Sequence, residues 1–182
     1  MAHVRRQRSD ARRNHDVLVD AAREVFARCG ADAPLDLIAQ RAGVGRGSLY
    51  RHFPTREHMI AAVLRDSADT LDRLAAELAG AADPVEAVTT WLRRYDRFAT
   101  AFLGLAAQLE HSAGDGPLAG ACAPMRTGFA GLWERAQRAG RAHQDLTADQ
   151  VLALVRSLPK DRDSGRTGSR YLDVVLGGLR LC

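Results

Sequence analysis

The chain has 182 residues, enough for one large domain or two small ones, and its 46% hydrophobic and 26% charged residues are typical of a soluble globular protein. No apolar run approaches the roughly 18 residues of a membrane-spanning helix, and the basic N-terminus lacks the hydrophobic segment of a secretory signal. The net charge of +4 is uneven, because residues 1–58 hold 11 arginines against 7 acidic residues, whereas residues 59–182 are balanced. Arginine binds phosphate and guanine edges bidentately, so this excess favours DNA as a partner; a solvated basic tail is the alternative.

The three cysteines, Cys29, Cys122 and Cys182, lie far apart and have no partners at CxxC or metal-ligand spacing. We expect reduced thiols of a cytoplasmic protein, with Cys29 on an apolar helix face. Neither a metal site nor a cofactor is predicted. No Ser/His/Asp order, HExxH or phosphate-binding loop indicates an enzyme, so no catalytic residues are predicted.

The chain begins with an arginine-rich arm followed by a helix. Residues up to about Asp10 show no periodicity, and we expect them to be disordered without a partner. Apolar residues at helical spacing then predict a helix from about Ala11 to Arg28, which Gly30 ends.

The segment Leu35–Pro54 predicts two short helices joined by a tight turn. Its apolar residues recur at helical spacing, Gly43 stands where the backbone must turn left-handed, and Gly45–Tyr50 forms a polar, basic second segment. This is the pattern of a helix-turn-helix. Thr55 can then cap a helix that runs to Gly80, about 37 Å long at 1.5 Å per residue and able to connect two domains.

The rest of the chain predicts further helices and no strands. Asp83 can cap a helix that begins at the next proline, Pro124 must start, kink or break another, and Thr147 can cap a third. Charged and glycine-rich residues 159–168 predict an exposed loop before a last helix over about 169–181. The fold is therefore predicted to be all-α.

The stretch IAQRAGVGRGSLYRHFPTREHMIAAVL, with the helix before it, resembles the TetR family of transcriptional regulators. The resemblance covers about residues 12–64, and the later helices are similar only in number, length and order. It implies an N-terminal three-helix helix-turn-helix DNA-binding domain over residues 11–71. A long helix would join it to a C-terminal helical ligand-binding and dimerisation domain over residues 72–182.

The second short helix and its surroundings are predicted to contact double-stranded DNA. Arg46 can donate two hydrogen bonds to guanine, Ser48 can contact a base or a phosphate, and the glycines allow close approach of the backbone. The family places residues matching Tyr50 and His52 at phosphates. The full predicted set is Arg46, Gly47, Ser48, Tyr50, Arg51, His52 and Arg56. The alternatives are a Tyr50 ring packed between helices, an idle exposed Arg46, and a His52 that packs against a helix.

Two positions depart from the family's pattern. Many relatives cap the first helix of the motif with a Thr or Ser that binds phosphate, whereas Ala33 and Pro34 occupy that corner here, which puts this contact in doubt. Asp36 favours the helix dipole but would repel a phosphate, so we expect it to face away from DNA.

The resemblance also implies that the second half surrounds a pocket for a small molecule and forms a homodimer. The predicted pocket comprises Trp91, Tyr95, Phe98, Phe102, Gln108, His111, Met125, Phe129 and Trp133, with Arg126 as a further polar candidate. An aromatic stripe is more often core than a binding site, and that alternative stays open. The predicted dimer interface comprises Leu152, Val155, Leu172, Val175, Leu176 and Leu179, with the alternative that these residues complete the core of one chain.

These features together predict a homodimeric repressor that binds a palindromic operator and is released by a small hydrophobic or amphipathic ligand. The alternative is an α-helical ligand-binding protein with weakened DNA binding, which the missing cap favours mildly. No membrane partner is predicted.

Overall fold

The computed structural model describes residues 2–102, 120–159 and 170–179, with side chains from residue 11 onward. These residues form eight helices and no β-strand, which confirms the predicted all-α fold. The helices are α1 (Ala2–Cys29), α2 (Leu35–Ala42), α3 (Arg46–His52), α4 (Arg56–Leu78), α5 (Pro84–Ala101), α6 (Ala123–Arg138), α7 (Ala148–Ser157) and α8 (Arg170–Leu179). None of these helices combines the length and the apolar character that a membrane crossing requires.

Helix α1 corrects two predictions. It begins at Ala2 rather than near Ala11, because the segment before Gly30 contains no proline or glycine and is rich in arginine and alanine, which favour a helix. Its predicted end is confirmed: Gly30 has a φ of 83°, and its N–H donates to the carbonyl of Phe26 at 2.9 Å. Cys29 is exposed, so its predicted place on an apolar face is wrong.

The described residues form two compact units. One comprises residues 2–66 with 120–121, and the other comprises residues 67–102 with 122–159 and 170–179. The division falls within α4, between Asp66 and Ser67. The predicted boundary at residues 71/72 lies in the same helix and stays a prediction.

In the first unit, α2 and α3 form the predicted pair of short helices. Gly43 ends α2 with a φ of 65°, and its N–H is directed at the carbonyls of Ala39 and Gln40. The next N–H, of Val44, donates to the carbonyl of Ala39 at 3.0 Å, which satisfies a further carbonyl at the helix end. This left-handed residue turns the chain so that α3 can follow α2 after three residues. The core of the unit consists chiefly of the buried side chains Leu18, Ala22, Phe26, Ile38, Leu49, Phe53, Ile60 and Leu64.

In the second unit, two buried tryptophans fix the packing of the helices. The indole N–H of Trp91 donates to the carbonyl of Leu71 at 2.9 Å, and that of Trp133 donates to the carbonyl of Leu146 at 2.8 Å. Each buried indole therefore has the hydrogen-bond partner that its polar edge requires. Gly128 lets α6 approach α4 closely, because a Cβ there would lie 2.8 Å from the Cβ of Ala75.

The predicted helix starts of the second unit are confirmed. Asp83 caps α5 by accepting from the N–H groups of the second and third following residues, and Pro84 is the first residue of that helix. Pro124 lies in the first turn of α6, so it starts the helix and does not kink it. Thr147 caps α7 in a capping box with Gln150.

Most of the predicted dimer residues lie inside the second unit. Leu152, Val155, Leu172, Leu176 and Leu179 are buried in its core, and Val175 packs against that core while partly exposed. The alternative that these side chains complete the core of one chain therefore holds for all but Val175. Helical periodicity identified an apolar face correctly but could not show that neighbouring helices of the same chain cover it.

Candidate nucleic-acid interface

Helix α3 presents most of its side chains to solvent. Among its seven residues, only Leu49 is buried, and it anchors the helix to the core. Arg46, Gly47 and Arg51 are exposed, and Ser48 and His52 are partly buried. Tyr50 is 41% exposed, so its ring is not enclosed between helices. This short basic helix thus carries six of the seven predicted DNA-binding residues, and four of the six are exposed.

Gly45 and Gly47 have no role in the packing of the first unit. A Cβ added at either position would meet no atom within 4 Å, and neither residue has the positive φ that favours glycine. Gly45 precedes α3 in an extended conformation with a φ of −63°. The fold would therefore accept larger residues here. What the two glycines provide is a backbone that an external molecule can approach closely.

Arg46 and Asp36 form an ion pair across the two short helices. The Nε of Arg46 lies 2.8 Å from Oδ1 of Asp36, and both side chains are largely exposed to solvent. Asp36 was expected to face away from this surface, and the structure corrects that expectation.

His52, the last residue of α3, lies in a small aromatic cluster. The ring centroid of His15, on α1, is 6.2 Å from that of His52 and 5.0 Å from that of Phe53. Burial lowers the pKa of His52 below 6.5, and the nearby His15 and Arg51 lower that pKa further. An anion placed beside His52 would favour the charged ring and oppose this shift.

Arg56 makes contacts inside the first unit. Its Nη1 donates to the carbonyls of Ala31 and Ala33, at 2.6 Å each, in the loop between α1 and α2. The side chain is partly buried, unlike the exposed Arg51. Thr55, just before it, accepts from the N–H of His58 at 3.4 Å, as the predicted cap of α4 requires. Arg56 thus positions the corner at which α2 begins.

Two further arginines of the first unit are also bound to acidic side chains. Arg41 donates to Glu24 through both Nε and Nη2, at 3.0 and 2.6 Å, which ties α2 to α1. Arg23 pairs with both Asp20 and Asp66. The arginine excess in the sequence therefore includes residues that are paired with acidic side chains of the same unit.

The predicted ligand-pocket residues of the second unit form a packed aromatic stack. The Trp91 ring lies 5.5 Å from Tyr95 and 4.6 Å from Phe129, measured between centroids, and all three are buried. Burial also raises the pKa of Tyr95. The remaining ring pairs, Tyr95 with Phe98, Phe98 with Phe102, and Phe129 with Trp133, continue the stack with centroid separations of 5.2 to 6.3 Å.

Other members of the predicted pocket do not add an open cavity. Met125 is buried in the same core, Arg126 pairs with Asp149 at 2.9 Å, and Gln108 and His111 lie outside the described residues. A cavity of about 10 Å³ lies beside Trp133, Thr89 and Leu176. That volume is near the space for one water molecule and far below the roughly 300 Å³ at which ligand pockets begin.

Three exposed apolar side chains on the last two helices were missed by the sequence analysis. On α8, Val174 is 75% and Tyr171 is 53% exposed, and on α7, Leu154 is 41% exposed. Tyr171 and Val174 are three residues apart, as side chains on one face of a helix are. The signal was present in the sequence, because α8 has apolar residues on two faces and only one can pack into its own core.

Two sequence profiles match the chain. The one described as "Bacterial regulatory proteins, tetR family" matches residues 18–63, and the one described as "Transcriptional regulator SbtR-like, C-terminal domain" matches residues 83–181. The first range contains α2, α3 and the exposed basic face. The second contains α5 to α8 and more than half of the chain.

Solved structures agree over nearly the whole length. The chain is 34% identical to a TetR transcription regulatory protein from Mycobacterium vanbaalenii, covering 96% of this chain and 99% of that one, with a TM-score of 0.69. It is 35% identical to a TetR transcriptional regulator from Streptomyces coelicolor, covering 91% and 98%, with a TM-score of 0.66.

Curated relatives match only part of the chain. The uncharacterized HTH-type transcriptional regulator TtgW of Pseudomonas putida is 42% identical over 62 residues, or 34% of this chain and 46% of the relative. The chain thus spans less than half the length of the curated relatives it matches. The two profiles and the full-length likeness to solved regulators place the chain in the TetR family of transcriptional regulators, to which it belongs.

Proposed function

We propose that the chain is a sequence-specific regulator that inserts α3 into the major groove of an operator. The observation that carries this proposal is the exposed face of α3, where basic and hydrogen-bonding side chains flank glycines that the fold does not need. Leu49 is the one side chain of α3 that is buried in the core of the first unit, so the other side chains of the helix add little to the stability of the fold. Its side chains are instead available for a polyanion, and phosphate and base contacts require such groups.

Within this proposal, the contacts have different roles. Arg46 donates to guanine and Ser48 reads a neighbouring base or phosphate, while Tyr50, Arg51 and His52 bind the backbone. Gly47 allows the groove edge to come close. Arg56 leaves the predicted DNA-binding set, because its guanidinium is already engaged by two loop carbonyls. Its proposed role is to hold the loop that positions α2.

The proposed homodimer uses a different face from the one predicted. Leu154, Tyr171 and Val174 are the apolar side chains that α7 and α8 leave exposed, and Gly177 and Gly178 are exposed on α8 as well. A two-fold dimer built on this face would bury these residues against their own copies. It would also present two α3 helices to the two halves of a palindromic site.

The proposed regulatory ligand is a small hydrophobic or amphipathic molecule that binds the second unit and releases the operator. Because the stack of Trp91, Tyr95 and Phe129 is packed, a ligand that binds at these residues would have to displace rings. Displacing packed rings links binding to a rearrangement of the helices that carry them. A coupling of about 1 to 3 kcal/mol would change operator affinity roughly 5- to 150-fold. The proposal places the protein in the cytoplasm and gives it no catalytic role.

The decisive experiment is selection of bound sequences from a random pool of DNA duplexes. We expect an enriched palindrome, and we expect Arg46→Ala to lose the preference for one base pair in each half-site. Arg97→Ala removes an exposed arginine from α5, in the second unit, and is the matched control with unchanged selection. A pool that yields no enriched sequence would contradict the proposal and favour the alternative of a ligand-binding protein with weakened DNA binding.

A further inference from the structure

The ion pair between Arg46 and Asp36 lies on the proposed DNA-reading face. Arg46 is the first residue of α3, and Asp36 is in the first turn of α2, so the pair spans the turn of the helix-turn-helix. The Nε of Arg46 lies 2.8 Å from the Asp36 carboxylate, and the two side chains are 69% and 47% exposed. Gly45 and Gly47 flank the arginine and leave open space beside it.

Stability does not account for this pair. An ion pair between two exposed side chains contributes little to the free energy of unfolding, because water and salt screen it. The same unit already links α1 to α2 through Arg41 and Glu24, with similar exposure. The Asp36 carboxylate also carries a cost at this position, since it would repel the phosphates of a bound duplex. Asp36 also favours the dipole of α2 from its first turn, but that contribution does not require Arg46 as a partner. The pairing itself is explained by an effect on recognition.

We propose that Asp36 is a positioning residue that fixes the guanidinium of Arg46 for reading guanine. The inference rests on the proposed function, in which Arg46 is the base-reading side chain. The guanidinium is planar, and its N–H donors have fixed directions. The carboxylate lies beside Nε, so the ion pair restricts the side chain and leaves the terminal Nη1 and Nη2 groups for guanine O6 and N7.

The carboxylate also makes recognition more selective. It neutralises an arginine that would otherwise bind any phosphate, so Arg46 contributes to affinity only where it meets the correct base. Fixing the side chain before binding reduces the conformational entropy that it would lose on the operator. Asp36 therefore raises the ratio of specific to non-specific binding, although it lowers the affinity for DNA in general.

The test uses the full-length protein and the variants Asp36→Asn, Arg46→Ala and the double variant. Glu24→Gln is the matched control, because it removes a carboxylate from another exposed inter-helix pair of the same unit. Binding is measured by fluorescence anisotropy to the selected operator, to operators with single substituted base pairs, and to unrelated DNA. Thermal unfolding of each variant verifies that it is folded.

We expect Arg46→Ala to reduce discrimination at one guanine by about 5- to 150-fold, the value of a bidentate contact. Asp36→Asn should lose most of that discrimination, bind unrelated DNA more tightly, and cause no further loss in the Arg46→Ala background. Glu24→Gln should retain the discrimination of the unchanged protein.

Two results would overturn the inference, and they differ in what else they affect. If Asp36→Asn tightens binding to all sequences equally and keeps the guanine preference, the carboxylate merely competes with DNA, and the proposed function stands. If Arg46→Ala itself keeps every base preference, Arg46 is not the reading residue, and that part of the proposed function fails together with the role of Asp36.

Discussion

Replacing Val174 with aspartate should convert the proposed dimer into a folded monomer. Val174 is 75% exposed on α8, whereas its neighbours Leu172 and Leu176 are buried in the core. In a single chain the new carboxylate would remain in water, so the melting temperature of the monomer should change little. In a two-fold dimer on this face, both copies would have to bury it.

The expected size of the effect follows from the exposure of the side chain. Fully burying a valine contributes at least about 1.5 kcal/mol, and most of Val174 is available to be buried by a partner. About 1 kcal/mol is therefore lost per copy and about 2 kcal/mol per dimer, since symmetry repeats the contact. This loss alone raises the dissociation constant roughly 30-fold, and burying an unpaired carboxylate raises it further.

The assay is light scattering of the purified chain over a dilution series, alongside thermal unfolding. Val17→Asp repeats the substitution at another exposed valine, in the first unit, and should leave the dimer intact. Leu176→Ala should instead lower the free energy of unfolding by about 2 to 5 kcal/mol, because it leaves a cavity in the core. A Val174→Asp protein that dimerises with an unchanged dissociation constant would refute the assignment of this face.

Three further predictions concern Arg56, His52 and Gly128. Arg56→Ala should lower the free energy of unfolding in urea by about 2 kcal/mol, since it frees two loop carbonyls from a partly buried guanidinium. Arg51→Ala is the exposed control for Arg56→Ala, and it should leave stability unchanged and make the salt dependence of DNA binding shallower by about 0.9 per protomer. Because burial, His15 and Arg51 lower the pKa of His52, the unfolded chain binds the proton more readily than the folded one. The contribution of His52 to the free energy of unfolding should therefore be complete above about pH 6.5 and fall as the pH drops through the lowered pKa. The affinity of the protein for phosphate should rise over the same range, because the ring becomes charged. Gly128→Ala should destabilise by about 1 to 3 kcal/mol through overpacking, whereas Gly131→Ala on the same helix, with open space around it, should be neutral or stabilising.

Each of these has a contrary outcome. If Arg56→Ala unfolds in urea like the unchanged protein and its DNA binding depends less on salt, then Arg56 contacts phosphate, as first predicted. Equal pH dependence of His52→Gln and the unchanged protein would remove His52 as the titrating group. Equal stability of the alanine variants at Gly128 and Gly131 would mean that α6 does not approach α4 as closely as described.

The helix-turn-helix and the helix starts of the second unit could be predicted because their signals are local. Gly43 needs a left-handed conformation within a turn of the helix that it ends, and Thr147 caps α7 through a residue three positions away. By contrast, Arg56 contacts carbonyls 23 and 25 residues away, and no spacing rule reports such a pair. The ion pair of Asp36 with Arg46 likewise depends on how the turn places two helices.

The C-terminal helices show a different limit. A helix of 10 residues with apolar side chains on two faces fits equally well with either face inward. The family resemblance implied that Leu172 and Leu176 are interface residues, but the packing of α5 to α7 decides that these residues belong to the core. Tyr171 and Val174 are then the side chains left for a partner. Which face a short helix buries is a property of the tertiary structure and cannot be read from the helix alone.

The arginines of residues 1–58 must be separated into those that can contact phosphates and those bound inside the first unit before the salt dependence of DNA binding can be predicted. If all 11 arginines of residues 1–58 contacted phosphates in each protomer, the slope of log affinity against log salt would approach about 20 for a dimer. Arg23, Arg41 and Arg56 are engaged inside the first unit, and Arg46 is paired with Asp36 and assigned to a base, which reduces the maximum to about 13. A measured slope steeper than this would require these arginines to leave their partners when DNA binds. The DNA-binding surface of the free chain would then differ from that of the complex.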